Sequence, residues 1–419
     1  MFSGGRVDWG SYRPCSSYMK SSVLIGENIM NMRLLSLVVL VVVGFTLPAA
    51  AQEATNGRVF DVNMTLGNTL PEDTMVYDHD LQLVPIQSVL DDAEYTVVVS
   101  GCLTCGIFRD AYQDVEAVYH DYKDQDVNFY FIYQTLMHPE NHGYVQAFSM
   151  EERFLQLDVA KVEYGTSIPW ILDTFNNDYK TLTGAPASEV VYDRSGKIVH
   201  SASTTRVPAL RNSLIELVGD VEHHTQVADL DFPDVLRLGL GEVTDVIERV
   251  SFEGAAFPVT FEAEESESTY FAKLRPEVNA ELMNTGTGQM YIGFHLDPIY
   301  GANWNNLVAP LRYEITAPEG VSITPAVGQG IRPDVASDKN PREFLVDISN
   351  WQDTSEPMAL DVYYFACNND EGWCIPVTQR YTVSLERDTL GGSQRERTQM
   401  KQRGRAGGAP GQVPARPGA

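Results

Sequence analysis

Four of the five cysteines in this chain fall into two close pairs. Cys102 and Cys105 are separated by two residues, a C-x-x-C motif, and Cys367 and Cys374 are separated by six. Two thiols one helical turn apart can close a disulfide, so the first pair can alternate between dithiol and disulfide. Within a βαβ pattern this motif indicates redox chemistry, and in an exported protein the alternative is a static structural disulfide.

The segments on either side of the first pair predict where it lies. Residues 95–100 form a β-branched run typical of a buried strand, and the run ends just before Cys102. Apolar side chains then recur at three- and four-residue spacing over 108–122, which predicts an amphipathic helix. Unpaired N–H groups and the helix dipole favour a thiolate at such a junction, so we expect a lowered thiol pKa.

The surrounding chain alternates strand-like and helix-like segments, which is typical of an α/β domain. Ser149 and Glu152 have the spacing of a capping box at the start of a helix. Four further strands are predicted at 127–133, 168–172, 189–193 and 198–200, and two further helices at 149–162 and 207–218.

Further short motifs accompany the cysteine pair between residues 101 and 201. They are Thr104-Cys105 with Phe108, Ile132-Tyr133, His138-Pro139, Gly143-Tyr144, the segment 169–177, Ala185-Pro186 and Gly196-Lys197-Ile198. With these motifs the segment resembles the thioredoxin-fold redoxins, and among them most closely the iodothyronine deiodinase-like branch. The resemblance implies an α/β thioredoxin-like domain, with a central sheet flanked by helices.

The resemblance also implies roles for individual residues. Cys105 stands where that family has selenocysteine, His138 lies near it, and Pro186 is the cis-proline that packs against the redox pair. The resemblance to thioredoxins makes Cys102 the attacking thiol and Cys105 the resolving thiol. The deiodinase-like alignment instead gives the leading role to Cys105. We favour Cys102, because a second thiol suits dithiol exchange better than reductive dehalogenation. A cysteine peroxidase or a deiodinase-like reductase remains an alternative.

Two histidines add a different alternative. His138 and His142, together with Cys102 and Cys105, supply two nitrogens and two sulfurs, a set that suits zinc or copper. A metal-binding protein that uses Cys102, Cys105 and His138 is therefore the rival hypothesis. Under the redox hypothesis His138 is a proton donor or thiolate partner, or an ordinary loop histidine, and no cofactor is required.

The second cysteine pair lies in a segment whose sequence pattern predicts short strands and turns. Cys367 and Cys374 bracket a turn-forming loop, so a disulfide across the mouth of a hairpin is expected there. Short strands are predicted at 258–261, 289–295, 311–315, 344–348, 360–365 and 381–385, and a β-sandwich over 255–387 is their natural packing.

This segment also resembles a known family. The residues concerned are Trp304-Asn305-Asn306, Ala317-Pro318-Glu319-Gly320, the stretch 364–367 and the stretch 373–376. They resemble the immunoglobulin-like N-terminal periplasmic domain of the thiol:disulfide interchange transporter. The resemblance implies electron exchange between Cys367 and Cys374 and thioredoxin-like partners, and the alternative is a purely structural disulfide.

The net charge excludes some classes of partner, and the two ends of the chain differ in composition from the rest. The 419 residues carry a formal net charge of −27, which argues against nucleic acid or anionic lipid as a partner. Arg33, an apolar run over 34–47 and the small residues before Gln52 predict a secretory signal peptide at 30–51, preceded by an over-extended start at 1–29 that contains Cys15. Residues 390–419 are basic and almost without apolar side chains, which predicts a disordered tail.

These features predict a periplasmic or secreted protein that is not inserted in a membrane after signal cleavage. Its expected partners are thiol/disulfide proteins of that compartment and a membrane-bound electron donor. The predicted organisation is a thioredoxin-like redoxin domain at 53–220, a linker with a helix at 221–254, and a β-sandwich domain at 255–387.

Overall fold

The computed structural model describes residues 64–137, 139, 143–185, 187–233, 246–250, 254–264, 266, 268–352 and 354–388. The predicted signal peptide, the basic tail and residues 234–245 and 251–253 of the predicted linker lie outside these residues. In the described part of the chain, no helix is long and apolar enough to cross a membrane.

The first part of the described chain is a seven-stranded mixed sheet with helices. Its elements are β1 (Met75–Tyr77), β2 (Leu83–Pro85), α1 (Gln87–Leu90), β3 (Tyr95–Gly101), α2 (Gly106–Tyr122), β4 (Val127–Tyr133), α3 (Met150–Tyr164), β5 (Trp170–Asp173), α4 (Asp178–Thr183), β6 (Glu189–Asp193), β7 (Ile198–Ala202) and α5 (Val207–Val218). The strand order is β2-β1-β5-β4-β3-β6-β7, in which β3, β4 and β5 are parallel and the other pairings are antiparallel.

Burial on both faces of this sheet follows from the alternation of side chains along a strand. On β3, Val97 and Val99 belong to one hydrophobic cluster together with Phe108 of α2, whereas Val98 belongs to a second cluster with Leu90 of α1 and Tyr179 of α4. The predicted central sheet flanked by helices is therefore confirmed.

The predicted capping box is only half present. Ser149 Oγ accepts a hydrogen bond from Glu152 N at 3.2 Å, as expected at the start of α3. The Glu152 carboxylate, however, accepts from Phe148 N at 2.5 Å and from Lys273 Nζ at 2.7 Å. A buried lysine from a distant strand thus engages the carboxylate that the sequence motif assigned to the helix end.

The second part of the described chain is antiparallel β structure. Its elements are β8 (Ala256–Ala263), β9 (Ala272–Asn279), α6 (Ala280–Thr285), β10 (Gly288–Leu296), β11 (Asn303–Asn305), β12 (Arg312–Thr316), β13 (Ser322–Thr324), β14 (Val327–Gln329), β15 (Ser337–Asp338), β16 (Arg342–Ser349), β17 (Met358–Asn368) and β18 (Trp373–Arg387). All six strands predicted here are present, mostly as parts of longer ones.

These strands form one continuous sheet that folds back on itself. β8 pairs with β9 near its start and with β18 near its end, so it joins the two halves. β12 and β16 are six strand pairings apart, which would separate them by roughly 29 Å in a flat sheet. The rings of Tyr313 on β12 and Phe344 on β16 are nevertheless 4.7 Å apart, so the two halves face each other across a common core.

The two parts of the chain share this core. Phe148, which directly precedes the α3 N-cap, lies in the hydrophobic cluster of the β region and contacts the rings of Phe261, Tyr270 and Tyr381. The predicted linker contributes contacts as well, since Phe232 packs on Tyr112 of α2. The mixed sheet and the β region are therefore held together by buried side chains.

Candidate functional site

The first cysteine pair lies at the junction of β3 and α2, as predicted. Cys102 directly follows β3, and Cys105 is the N-cap residue of α2. Cys105 N donates a hydrogen bond to Cys102 O at 3.4 Å, which closes the turn between them. Both thiols are free, and both are buried, with 1% and 4% of their surfaces exposed.

Neighbouring side chains fix the backbone of this turn. Tyr164 donates its hydroxyl hydrogen to Cys102 O at 3.0 Å, and Arg109 Nη1 donates to Leu103 O at 3.0 Å. Gly101 allows Phe108 to pack directly against the end of β3, because a Cβ at that position would overlap the ring. The turn is therefore held from α3, from α2 and from the strand.

The expected lowering of the thiol pKa is wrong for Cys105. Burial, together with the nearby Cys102, raises the pKa of the Cys105 thiol to about 12. The N–H groups of Phe108 and Ile107 and the charge of Lys180 act in the opposite direction, but burial outweighs them. The helix N-terminus does favour a thiolate, but desolvation of the thiolate has the larger effect on Cys105.

The charge of Cys102 influences the pKa of two cationic side chains. Lys180 lies on α4, and its Nζ contacts Met137 Sδ at 3.6 Å. Burial lowers the pKa of Lys180, and the charge on Cys102 opposes this shift. Arg153 of α3 is buried and donates from Nη1 to Thr174 O at 2.6 Å. Its pKa is also lowered by burial, and Cys102 is among the groups that oppose the shift.

A buried carboxylate holds one of these cations in place. Asp173 ends β5 and accepts hydrogen bonds from Tyr179 N on Oδ1 and from Lys180 N on Oδ2, both at 2.9 Å. It therefore caps the first turn of α4. Burial raises the pKa of Asp173 to about 6, against the opposing effect of these N–H groups and of Arg153.

Tyr133, at the end of β4, places a hydroxyl group in the same region. It is fully buried and makes no hydrogen bond within the described part of the chain. Burial raises its pKa well above the usual value, and a negative charge on Cys102 acts in the same direction. A hydroxyl that lacks a hydrogen-bond partner costs free energy on burial.

The second cysteine pair forms the expected disulfide. Cys367 on β17 and Cys374 on β18 are directly opposite one another, with their Cα atoms 4.0 Å apart. The two sulfurs differ in environment, because Cys367 is buried and Cys374 is exposed. Asn305 Nδ2 of β11 lies 3.7 Å from Cys374 Sγ.

Two predicted site residues, His138 and Pro186, lie outside the described residues, as does His142. Within the described ranges, no group of three or more His, Cys, Asp and Glu side chains could hold a metal ion. The predicted set of Cys102, Cys105 and His138 is therefore not tested by this finding.

Sequence reasoning missed Lys180, Arg153, Asp173 and Tyr133. One signal was available for Asp173, because it follows the apolar strand of the 169–177 motif directly. Asp173 is not the N-cap residue of α4, which is Asn177, but from four residues before it the carboxylate accepts N–H groups of the first turn, which lack partners within the helix.

Comparison with known proteins gives only remote similarities to solved structures. No protein-family model matches the chain, and no curated protein matches it. A thiol:disulfide interchange protein from Bacteroides sp. is 16% identical with a TM-score of 0.30, covering 38% of this chain and 95% of its own. A putative thiol:disulfide interchange protein from Chlorobium tepidum is 15% identical with a TM-score of 0.28, covering 37% and 99%.

A third solved structure, an uncharacterized thioredoxin-like protein from Porphyromonas gingivalis, is 16% identical with a TM-score of 0.29, covering 38% of this chain and 99% of its own. The likeness lies in the first part of this chain. At these identities and TM-scores it does not assign the chain to a family.

Proposed function

We propose that this protein is an exported thiol:disulfide oxidoreductase that uses Cys102 and Cys105 in a thioredoxin-like domain. One observation carries the proposal: two free thiols share a single turn between a central strand and the helix that follows it. The signal-like segment at 30–51 supports export to the periplasm or the extracellular medium.

Cys102 is the attacking thiol in this proposal. Its thiolate attacks a partner disulfide, forms a mixed disulfide and releases one partner thiolate. Cys105 then loses its proton and attacks Cys102 Sγ, which releases the second partner thiolate and leaves a Cys102–Cys105 disulfide. Two electrons pass to the partner, and the reverse steps oxidise a partner dithiol.

The environments of the two sulfurs support this assignment of roles. The raised pKa of Cys105 keeps that thiol protonated near neutral pH, which suits a group that reacts second. The charge of Cys102 interacts with those of Lys180 and Arg153, and Lys180 also acts on Cys105. Because both sulfurs are buried, the partner has to open the surface near Ile107, which is 42% exposed beside the pair.

An insulin-reduction assay tests the proposal. We expect the wild-type protein to accelerate reduction of insulin by dithiothreitol, and we expect Cys102→Ser to abolish the acceleration. The matched control is the double variant Cys367→Ser/Cys374→Ser, which keeps the first pair intact. A folded wild-type protein without activity, or a Cys102→Ser variant that is as active as wild type, would contradict the proposal.

We further propose that the β region resembles an immunoglobulin-like electron-transfer domain and that its disulfide relays electrons. Exposure of Cys374 supports this, because an exposed sulfur can be attacked by a partner thiolate without a change in the surface around it. The two pairs belong to separate parts of the fold, and the buried contacts of Phe148 and Lys273 hold those parts together. The relay therefore runs through a partner protein or a second copy of the chain.

Trapping mixed disulfides tests the relay. Cys105→Ser leaves Cys102 without its resolving thiol, so we expect disulfide-linked adducts through Cys102 on non-reducing gels. For the relay, mass spectrometry should find Cys102 or a redox partner joined to Cys374. If no adduct includes Cys374, the relay is contradicted and the Cys367–Cys374 disulfide has a structural role only.

A further inference from the structure

A hydroxyl group lies beside the Cys102 sulfur, and a neighbouring segment sets its orientation. Cys102 Sγ lies 3.6 Å from Thr104 Oγ1, and Thr104 Oγ1 accepts a hydrogen bond from Met137 N at 2.9 Å. Because that N–H occupies a lone pair of the oxygen, the hydroxyl hydrogen is free to donate to the sulfur. Cys102 and Thr104 are both buried, which strengthens such a contact relative to one in water.

Gln146 holds the segment that carries the Met137 N–H. Residues 135–137 directly follow β4 and belong to no helix or strand. Thr135 Oγ1 donates to Gln146 Oε1 at 2.9 Å, and Gln146 Nε2 donates to Leu136 O at 2.8 Å. One buried amide group therefore binds both a side chain and a backbone carbonyl of the segment that ends at Met137.

The backbone of Gln146 is itself fixed from two sides. Gln146 O accepts a hydrogen bond from Lys273 Nζ at 3.2 Å, and Asp297 Oδ2 accepts from the same Nζ at 2.5 Å. The preceding carbonyl oxygen, Val145 O, accepts from Gln156 Nε2 of α3 at 2.9 Å. Because β9 and α3 both hold this backbone, the Gln146 side chain has a fixed origin.

We infer that Gln146 is a positioning residue for the redox pair, because it holds residues 135–137 so that the Thr104 hydroxyl group donates to Cys102 Sγ. This inference rests on the proposed function, since it assumes that Cys102 and Cys105 alternate between dithiol and disulfide. It extends the site from the cysteine turn to the β region, whose Lys273 binds Gln146.

The hydroxyl contact affects the reduction potential of the pair in a definite direction. A hydroxyl group donates a stronger hydrogen bond to a thiolate than to a disulfide sulfur, because charge strengthens the bond. The contact therefore stabilises the reduced form over the disulfide and raises the reduction potential. Loss of the contact should lower the potential.

Reduction potentials measured in graded ratios of reduced to oxidised dithiothreitol test the inference. We expect Thr104→Val to shift the equilibrium constant towards the Cys102–Cys105 disulfide by about tenfold, which corresponds to about 30 mV. Thr104→Ser keeps the hydroxyl group and should restore most of this shift. Gln146→Met keeps the volume but removes both amide bonds, and it should shift the equilibrium in the same direction by about threefold to tenfold.

A double variant separates positioning from a general loss of stability. Because Gln146 and Thr104 act through one hydroxyl group, Thr104→Val/Gln146→Met should shift the equilibrium no further than Thr104→Val alone. Fully additive shifts, or a folded Gln146→Met protein within about twofold of wild type, would overturn the inference.

The matched control is Gln379→Met, which replaces another buried glutamine. Gln379 lies on β18, where its amide accepts from Tyr381 Oη at 3.2 Å and donates to Thr269 O at 3.5 Å. These bonds lie within the β region and do not reach residues 135–137. Gln379→Met should therefore leave the reduction potential unchanged, and a shift as large as that of Gln146→Met would overturn the inference.

Hydrogen exchange of the Met137 N–H tests the same link without redox cycling. NMR of the reduced protein labelled with ¹⁵N-methionine follows this N–H. We expect Thr104→Val and Gln146→Met to speed its exchange by about tenfold, the effect of losing one hydrogen bond, and Gln379→Met to leave it unchanged. Unchanged exchange in both variants would overturn the inference.

The inference and the proposed function can fail separately. A pair that never oxidises contradicts the proposed function, and exchange of the Met137 N–H still decides the inference. A pair that oxidises with the same potential in every variant overturns the inference alone. If Gln146→Met fails to fold, Thr135→Val removes one of the two bonds to the Gln146 amide and is judged by the same criteria.

Discussion

Lys273 joins the two parts of the fold, and replacing it tests how strongly they depend on each other. The side chain lies on β9, and only 2% of it is exposed. Its Nζ donates to Glu152 Oε2 at 2.7 Å, to Asp297 Oδ2 at 2.5 Å and to Gln146 O at 3.2 Å. Glu152 and Gln146 belong to the first part of the chain, so these bonds cross between the parts.

The expected cost of Lys273→Met follows from the charges that remain. Without the lysine, Glu152 and Asp297 are two buried carboxylates with no cation between them. Removing one partner of a buried ion pair typically costs about 3–5 kcal/mol. Burial raises the pKa of Asp297 to about 6 although the charge of Lys273 lowers it. Without the lysine this pKa rises further, so the carboxyl takes up a proton closer to neutral pH, which limits the loss to that range.

Guanidinium chloride unfolding, followed by tryptophan fluorescence, measures this loss. We expect Lys273→Met to lower the free energy of unfolding by about 3–5 kcal/mol and to separate the unfolding of the two parts into two transitions. The control is Lys339→Met, which removes an exposed lysine from the β region. A loss below about 1 kcal/mol, in a single transition like that of the control, would refute the reasoning.

Three further predictions concern stability. Phe148→Ala should lower the free energy of unfolding by about 3–5 kcal/mol in the same assay, because removal of the ring leaves a cavity in the shared core. A loss under about 1 kcal/mol would contradict that packing. Replacing both Cys367 and Cys374 with alanine should lower the free energy of unfolding by about 2–3 kcal/mol, because the disulfide closes only a short loop in the unfolded chain. A variant as stable as wild type would contradict this prediction. The pKa of Asp173 is about 6 in the folded protein against an ordinary 3.8. The folded state therefore binds the proton of Asp173 more tightly than the unfolded chain does, and the resulting stabilisation of the fold is complete below about pH 4 and is lost as the pH rises through about 6. Asp173→Asn should remove a pH-dependent change of about 3 kcal/mol across that window, and an unaltered pH profile would contradict the assignment.

The sequence predicts the parts of the fold that depend on local periodicity. The β-branched run of β3 and the apolar spacing of α2 gave the position of the Cys102–Cys105 turn, because such patterns match the geometry of one element. β9 was missed, since it contains Pro276 and carries the charged Lys273, both unusual in the interior of a strand. The carboxylates of Glu152 and Asp297, together with the carbonyl oxygen of Gln146, make a buried lysine acceptable there.

The chemistry of the site was less predictable than its location. The helix N-terminus beside Cys105 is visible in the sequence, but the desolvation that raises its pKa depends on packing from α3 and β4. The charges of Lys180 and Arg153 interact with that of Cys102 from segments tens of residues away, and no local pattern relates these residues. Residue types and spacing therefore predict the cysteine pair, whereas the burial that raises the pKa of Cys105 depends on tertiary packing.

Reversible oxidation of Cys102 and Cys105 is the central claim, and a redox titration tests it most directly. The protein is equilibrated in buffers of graded dithiothreitol ratio, free thiols are blocked, and the Cys102–Cys105 peptide is quantified by mass spectrometry. The account predicts a two-electron transition between dithiol and an intramolecular disulfide, absent in Cys105→Ser. A pair that stays fully reduced in every buffer in which the protein remains folded would contradict the account.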